Sequence, residues 1–262
     1  MGEAFDIVRS GYARIGVWYR EWSSASPTRL VFVQRLLREL TPGCLVVELG
    51  CGPGEPATRL LAAEHRVLAV GASLTQLRLA REAAPTAALV QVDIAQLNLR
   101  AENADAVTSF YALAHLSSHE HALLFHTIAQ WLRPGGVLLT SAPLGSGDDR
   151  DESWLGVPMY FGVGKTSTRA AIESAELAGE EWETVPEDEG DGKVVRFLWV
   201  LARANPAQRL GRLHDCDVGV TARATSLLRA RGLGFHVLRQ RGDEAAMQSL
   251  LGHAERGPNR RS

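Results

Sequence analysis

The stretch Val46-Val47-Glu48-Leu49-Gly50-Cys51-Gly52-Pro53-Gly54-Glu55-Pro56, VVELGCGPGEP, decides the fold. It begins as an apolar run, carries Glu48 near the end of that run, turns on three glycines and leads into the helical pattern PATRLLAAE. An apolar strand that ends in a glycine-rich turn and feeds a helix is the nucleotide-cradling unit of α/β sheets, because backbone without side chains lets a ligand approach the helix N-terminus. The spacing narrows the ligand. A dinucleotide fingerprint needs G-x-G-x-x-G, and here the third glycine comes one residue early, with Glu55 where it would stand. A P-loop would end in Gly-Lys-Ser/Thr, and the stretch has no lysine. What remains is E-x-G-x-G-x-G, whose acidic strand end suits a cationic, phosphate-free ligand better than a pyrophosphate. The same residues also describe an ordinary strand-turn-helix of an α/β core.

Working outward, residues 3 to 22 read as a helix with Tyr12, Ile15 and Tyr19 at helical spacing. Ser26-Pro27 reads as an N-cap followed by proline at the first helical position, opening a helix that stops before Pro42-Gly43. Tyr12 and Tyr19 are either core aromatics or a lid. Downstream, HRVLAV (65 to 70) is a second buried strand, followed by Gly71 and Ala72, and Ser73 caps the next helix. An acid normally stands at this strand end to meet ribose hydroxyls, about 20 residues past the first glycine. Gly71 takes its place, and no Asp or Glu occurs from His65 to Arg81. Ser73, Gln76 or water is left to substitute, or Gly71 serves a positive φ. AALVQVD is the third strand, ending at Asp93 with Ile94 next, and ADAVTSFY is the fourth. Ligands of open α/β sheets bind at the carboxyl ends of strands, so Ser109, Phe110, Tyr111 and His115 are expected to face the site. Ser117 and Glu120 read as a capping box, and GVLLTSA is the fifth strand.

Residues 143 to 165 form an insertion with Trp154, Leu155, Met159, Tyr160 and Phe161 near its end, a lid or binding loop by its length. Its acids Asp148, Asp149, Asp151 and Glu152 read as a solvated run rather than a magnesium site. Four histidines (His115, His119, His121, His126) crowd the middle of the chain, but no three share a helical face with a carboxylate, so no metal is expected. His115, before its helix and at the cleft mouth, is the candidate base, with a loop-orienting role as the alternative. EWETVPEDEGDGKVVRFLWVLAR reads as a hairpin turning around Gly190-Asp191-Gly192.

Composition sets the limits. The chain has 262 residues, 45% hydrophobic content and a net charge of -2, which fits a globular protein with no call for nucleic acid or membrane. Lys165 and Lys193 are the two lysines among 28 basic residues, a GC-rich bias. Cys44, Cys51 and Cys216 are odd in number and lack metal spacing, so a reducing cytoplasm is expected. Residues 206 to 262 differ: ten arginines and five acids give +5 there and leave -7 on the body. This Arg-rich extension reads as partly helical or disordered, apart from a main domain of residues 1 to 205.

The motif E-x-G-x-G-x-G resembles motif I of the class I S-adenosylmethionine-dependent methyltransferases, and other segments align in order: YARIGVWY, QVDI, FYALAHL, WLRPGG, WLGVPMYF and FLWVLAR. The resemblance is to the bacterial small-molecule type. It implies a Rossmann-like three-layer α/β sandwich with a mostly parallel seven-stranded sheet and a C-terminal antiparallel hairpin. It further implies that Tyr12 and Tyr19 close over the methionine end of S-adenosylmethionine, that Glu48, Gly50, Cys51, Gly52 and Gly54 form the cradle, and that Gly71, Ala72 and Gln76 lie by the ribose. Asp93 is then the acceptor for the adenine amino group, with Ile94 against the ring and Phe110 also binding the cofactor. Methyl transfer to a small-molecule oxygen or nitrogen follows, leaving S-adenosylhomocysteine, with His115 as base and Tyr111 second, in a monomer or homodimer. The chain departs from the family pattern at Gly71, at Gly162, Val163 and Lys165, where relatives tend to carry Ser-His and an Asp, and at Ala175-Glu176-Leu177. Those departures keep a second reading open, a degenerate binding or partner subunit of the same fold.

Overall fold

Five parallel strands form the centre of the computed structural model, which describes residues 3–144, 149–162, 165–188, 194–205 and 236–237. They are β1 (Leu45–Leu49), β2 (Arg66–Gly71), β3 (Ala88–Gln91), β4 (Ala104–Ser109) and β5 (Leu132–Pro143). Among the described residues six α-helices accompany them: α1 (Glu3–Ser24), α2 (Pro27–Glu39), α3 (Ala57–Glu64), α4 (Leu74–Ala83), α5 (Ser118–Trp131) and α6 (Lys165–Ser174). A short hairpin of β6 (Asp149–Trp154) and β7 (Val157–Phe161) stands apart from the sheet, and β8 (Leu177–Asp188) and β9 (Val194–Ala204) close it. The order is β10-β3-β2-β1-β4-β5-β9-β8, where β10 is the pair His236–Val237, antiparallel to β3. Seven strands were expected. The eighth is this two-residue edge, contributed from within the Arg-rich extension, whose other residues lie outside those described.

Strand parity builds the layers. Successive side chains of a strand point to opposite faces. Leu45, Val47 and Leu49 enter a core with Phe125, Ile128 and Trp131 of α5 and Ile172 of α6. Val46 enters the other core, with Phe32 and Leu36 of α2, Leu61 of α3 and Leu77 and Ala80 of α4. All of β1 is buried, as a strand covered on both faces must be. Each fully buried side chain of this kind stabilises by roughly 1.5 to 3 kcal/mol. Phe32 stacks on Trp199 of β9 with centroids 4.2 Å apart, tying α2 to the closing hairpin.

The helix starts obey the caps read from sequence. Ser26 Oγ accepts from Arg29 N–H, Ser73 Oγ from Gln76 N–H, and the Ser117/Glu120 capping box is complete. The closing pair β8/β9 is antiparallel along its length, with the expected turn at residues 190 to 192 outside the described residues. The insertion is more ordered than a loop. Trp154, Val157 and Met159 of its hairpin pack with Val8, Ile15 and Tyr19 of α1 into a third small core. Gly11 permits the approach, because a Cβ there would lie 2.9 Å from Met159 Cε and 3.0 Å from Pro158 O. Among the described residues no helix is long and apolar enough to cross a membrane.

Candidate functional site

The sheet order reverses between β1 and β4, and the chain opens a crevice at the carboxyl ends of strands flanking such a point. A hollow lies there, with about 890 Å³ of unfilled space counted out to solvent at its mouth. Its floor is the glycine turn (Gly50, Gly52), the end of β2 (Gly71, Ala72, Ser73), Gln76 of α4 and the end of β3 (Val92, Asp93, Ile94). Phe110, Ala112 and His115 supply the far wall, and Tyr12 and Tyr19 of α1 roof it. Mostly apolar clefts with a few convergent polar groups are what cofactor-sized ligands occupy.

The glycine turn shapes the floor by close approach. Gly50 has φ 75°, and a Cβ on it would lie 2.1 Å from Ala112 Cβ. Gly54 has φ 82° and lets the Cα of Ala80 on α4 come within 2.9 Å of the same imagined atom. The amides of Gly50 and Cys51 both donate to Val70 O, at 2.8 and 2.9 Å, so the turn is pinned to the end of β2.

Eleven of the residues expected at the site line the hollow: Tyr12, Tyr19, Gly50, Gly52, Gly71, Ala72, Gln76, Asp93, Ile94, Phe110 and His115. Four do not. Glu48 sits on the same strand face as Val46, so parity turns it toward α2 and α3, where it accepts Thr58 Oγ1–H at 2.6 Å. Cys51 is buried under the turn, where burial pushes its thiol up. Gly54 serves the packing of α4. Tyr111 has a left-handed backbone, φ 66°, which swings its ring onto Phe197 and Trp199, and its hydroxyl donates to Glu187 Oε2 at 2.6 Å. Arg29 lies over that ring, 4.7 Å from its centre. Ser109, also expected to face the site, instead donates to Leu49 O between strands.

Glu48 carries a consequence. Burial pushes its carboxyl up to about 7, against the opposing help of Thr58 and Arg29. A raised carboxyl favours the folded state while protonated: that stability is fully present below the unfolded value near 4.5 and is lost as pH rises through 7. The loss is roughly 3 kcal/mol. Glu48→Gln is therefore expected to flatten the stability difference between pH 5 and pH 7.5 in urea melts relative to the parent chain. An identical slope in the variant places the proton elsewhere.

The roof is held by a chain of hydrogen bonds. His115 Nδ1 lies 2.7 Å from Tyr160 O, and a carbonyl only accepts, so Nδ1 carries the proton. Nε2 is then an acceptor, and it takes the Tyr12 hydroxyl at 3.0 Å. Burial holds the His115 imidazole down to about 4, with the Tyr160 bond opposing, so the ring is neutral at pH 7. Tyr12 and Tyr19 meet edge to face at 5.0 Å, and each also packs against Trp154. The two sequence readings of these tyrosines are thus compatible: the rings are core to the third cluster and wall to the hollow. Asp93 Oδ1 accepts Ala95 N–H at 3.0 Å, and burial raises its carboxyl despite that bond.

Of the departures from the family pattern, the structure accounts for Gly162. Gly71 is not a positive-φ glycine, which removes that explanation for its presence. Gly162 donates its N–H to Ala114 O at 2.7 Å, and a Cβ on it would lie 1.9 Å from Leu116 O, so a side chain there cannot fit without moving backbone. Val163 lies outside the described residues. Among the described residues no group of three His, Cys, Asp or Glu side chains is placed to hold a metal ion. Phe5, Val8 and Leu116 also line the hollow and were not singled out from sequence, and Glu120, read there as a capping-box residue, lines it as well. Phe5 and Val8 continue the Tyr12-Ile15-Tyr19 face backward at helical spacing, so extending that periodicity would have found them.

Residues 46–136 match the family model described as a methyltransferase domain. With the fold and the motif, this makes that segment similar to the methyltransferase domains of the class I S-adenosylmethionine-dependent methyltransferases. Among particular relatives, the chain is 38% identical over 108 residues to the trans-aconitate 2-methyltransferase of Azoarcus sp., a match covering 40% of this chain and 41% of that protein. It is 30% identical over 113 residues to a Mycobacterium tuberculosis protein named "Probable S-adenosylmethionine-dependent methyltransferase", covering 42% and 40%. The match thus spans about two fifths of the length of these curated relatives. In three dimensions the chain resembles the Burkholderia thailandensis 1,6-didemethyltoxoflavin-N1-methyltransferase, solved with bound 1,6-didemethyltoxoflavin and S-adenosylhomocysteine. The TM-score is 0.60 at 18% identity over 76% of this chain and 88% of that one, a likeness of fold.

Proposed function

We propose that this chain transfers a methyl group from S-adenosylmethionine to an uncharged small-molecule hydroxyl or amine. The observation that carries the reading is the hollow itself: a bare glycine floor, an acid at the end of β3 and an aromatic roof converge at the sheet's switch point. The residues fit the cofactor. Asp93 offers a carboxylate oxygen to an adenine amino group, Ile94 and Phe110 offer flat apolar surface, and Gly50 and Gly52 leave room for the chain of the amino acid. The bound cofactor supplies a methyl group already activated on a sulfonium.

The protein's task is then to hold the acceptor in line, and proximity supplies most of the acceleration. A poorly ionised acceptor also needs a base. His115 does not face the hollow alone, since Tyr12 occupies its Nε2. An acceptor O–H or N–H donates to the Tyr12 oxygen as Tyr12 passes its own proton to Nε2, which leaves Tyr12 unchanged and the proton on His115. Tyr111, engaged with Glu187, is replaced by Tyr12 in this scheme.

The lining also bears on the acceptor. Among the described residues around the hollow, the carboxyls of Asp93 and Glu120 are the ionisable groups besides neutral His115 and the two tyrosines, and no Arg or Lys stands there. A polycarboxylate, such as the relative's name specifies, finds no cation among these described residues. Trans-aconitate is therefore expected to give no turnover with this chain, measured as S-adenosylhomocysteine release. Turnover comparable to that of a neutral acceptor would overturn the assignment.

A second reading, a binding or partner subunit, is favoured by Gly71 alone, since the usual ribose acid is missing. Isothermal titration with S-adenosylmethionine and S-adenosylhomocysteine separates the two. Binding in the micromolar range supports the enzyme, and no heat at millimolar ligand ends that reading.

A further inference from the structure

The lid helix α1 breaks at Gly16, where φ 44° and ψ -125° leave the helical region and nothing lies within 4 Å of a would-be Cβ. A break of this kind leaves nearby carbonyls without their intrahelical amides. Two of them are taken by one donor from 60 or more residues away: Gln76 Nε2 lies 2.9 Å from Tyr12 O and 3.1 Å from Gly16 O. Gln76 belongs to the first turn of α4 and is 2% exposed. It lines the hollow, and its Oε1 is buried with no hydrogen-bond partner.

The amide has two ends with opposite chemistry. Its donors are spent on the lid, so its acceptor is held in one orientation, on a residue that lines the same hollow as Gly71, where a ribose-binding acid is absent. A buried acceptor left unpaired is unfavourable, and a ligand hydroxyl would satisfy it. We propose that Gln76 is a positioning latch: Oε1 accepts a ribose hydroxyl of the cofactor while Nε2 holds the broken lid helix, so that cofactor binding and lid closure reinforce each other. The proposal rests on the hollow being an S-adenosylmethionine site. It differs from the usual acid in kind, because a carboxylate accepts from ribose but has nothing to donate to the lid carbonyls. With glutamine, either event fixes the amide for the other, and the coupling is reciprocal.

Two variants separate the two ends. Gln76→Leu removes both, and Gln76→Glu keeps an acceptor but turns a carboxylate toward the Tyr12 and Gly16 carbonyls. The readouts are S-adenosylhomocysteine affinity by isothermal titration and hydrogen exchange of the α1 amides, free and at saturating ligand, on the full chain with folding checked by circular dichroism. Saturation of the parent chain is expected to slow exchange in α1. Gln76→Leu is expected to bind about ten-fold more weakly, the equivalent of one lost hydrogen bond, and to lose that protection even when saturated. Gln76→Glu is expected to hold affinity within about three-fold, since the ribose partner remains, and still to lose the protection. Should the leucine variant fail to fold, the isosteric glutamate variant alone decides. If the parent chain binds S-adenosylhomocysteine and the variants match it in affinity and lid protection, the latch is overturned while the site stands. If the parent chain binds none, both fall.

Discussion

Aspartate in place of Gly71 is expected to tighten S-adenosylhomocysteine binding by about ten- to a hundred-fold, the worth of one charge-assisted hydrogen bond to the ribose. The structure makes room for it. Gly71 ends β2 opposite Gln91 and lines the hollow, and its φ lies outside the left-handed region, so a side chain is conformationally allowed. The new Cβ would meet Leu77 Cδ2 at 3.2 Å and Cys51 Sγ at 3.7 Å, side-chain atoms, of which the leucine methyl yields by a few tenths of an ångström. Isothermal titration of the two proteins side by side gives the answer. Unchanged or weaker affinity would mean that the ribose does not lie at the end of β2. The result also bears on the latch: with Gly71→Asp placed in the Gln76→Leu background, affinity is expected to return without lid protection, because only glutamine donates to α1.

Removing the Tyr12 hydroxyl has the other large expected effect. Tyr12→Phe keeps the ring against Tyr19 and Trp154 but deletes the group between the hollow and His115. With a hydroxyl or amine acceptor that the parent chain methylates, kcat is expected to fall by about a hundred-fold or more, the usual worth of a positioned proton acceptor. S-adenosylhomocysteine affinity should stay within about three-fold, since the ring that roofs the site remains. The pH profile adds an independent check. The His115 imidazole is held at about 4 by burial, so kcat/KM for a neutral acceptor is expected to stay flat from pH 8 down past 6 and to fall only as pH approaches 4. An acid limb near 6.5 would belong to an exposed imidazole and would remove His115 from the relay. A full rate in Tyr12→Phe would leave positioning as the whole of catalysis.

The polar cluster behind the hollow explains why the fold tolerates so much buried charge there. Burial alone would pull the Arg29 guanidinium down, but Tyr19, Tyr111 and Glu187 outweigh it and leave it raised. Glu187 in turn accepts both the Tyr111 hydroxyl and Trp199 Nε1, the latter at 3.2 Å. A paired, hydrogen-bonded charge is how burial of such a group becomes affordable. The cluster joins α2, β4 and the closing hairpin beneath the lid, and it accounts for Tyr111 being structural in position.

By itself the sequence determined the architecture. The apolar runs, the glycines at 50, 52 and 54, the proline and serine caps and the alternating closing hairpin are local patterns, and each is set by backbone geometry within a few residues. The floor of the hollow was legible for the same reason, since the ends of β1, β2 and β3 are brought together by the sheet order that those patterns impose. Even the placement of Glu48 was available, because its parity with Val46 turns it from the cleft.

Only the tertiary structure decided how the roof is built and which polar groups are already engaged. Tyr12, His115 and Tyr160 come from three separate segments, Gly16 and Gln76 from two, and no spacing rule connects residues 45 to 103 apart. The left-handed backbone at Tyr111 and the contact that forbids a side chain at Gly162 are likewise answers to neighbours distant in the chain. Hydrogen-bond partners are exclusive, so the role of a donor or acceptor is fixed only when the competing partners are in place. That is why His115 and Tyr12 were both named from sequence while the hydrogen bond between them was not.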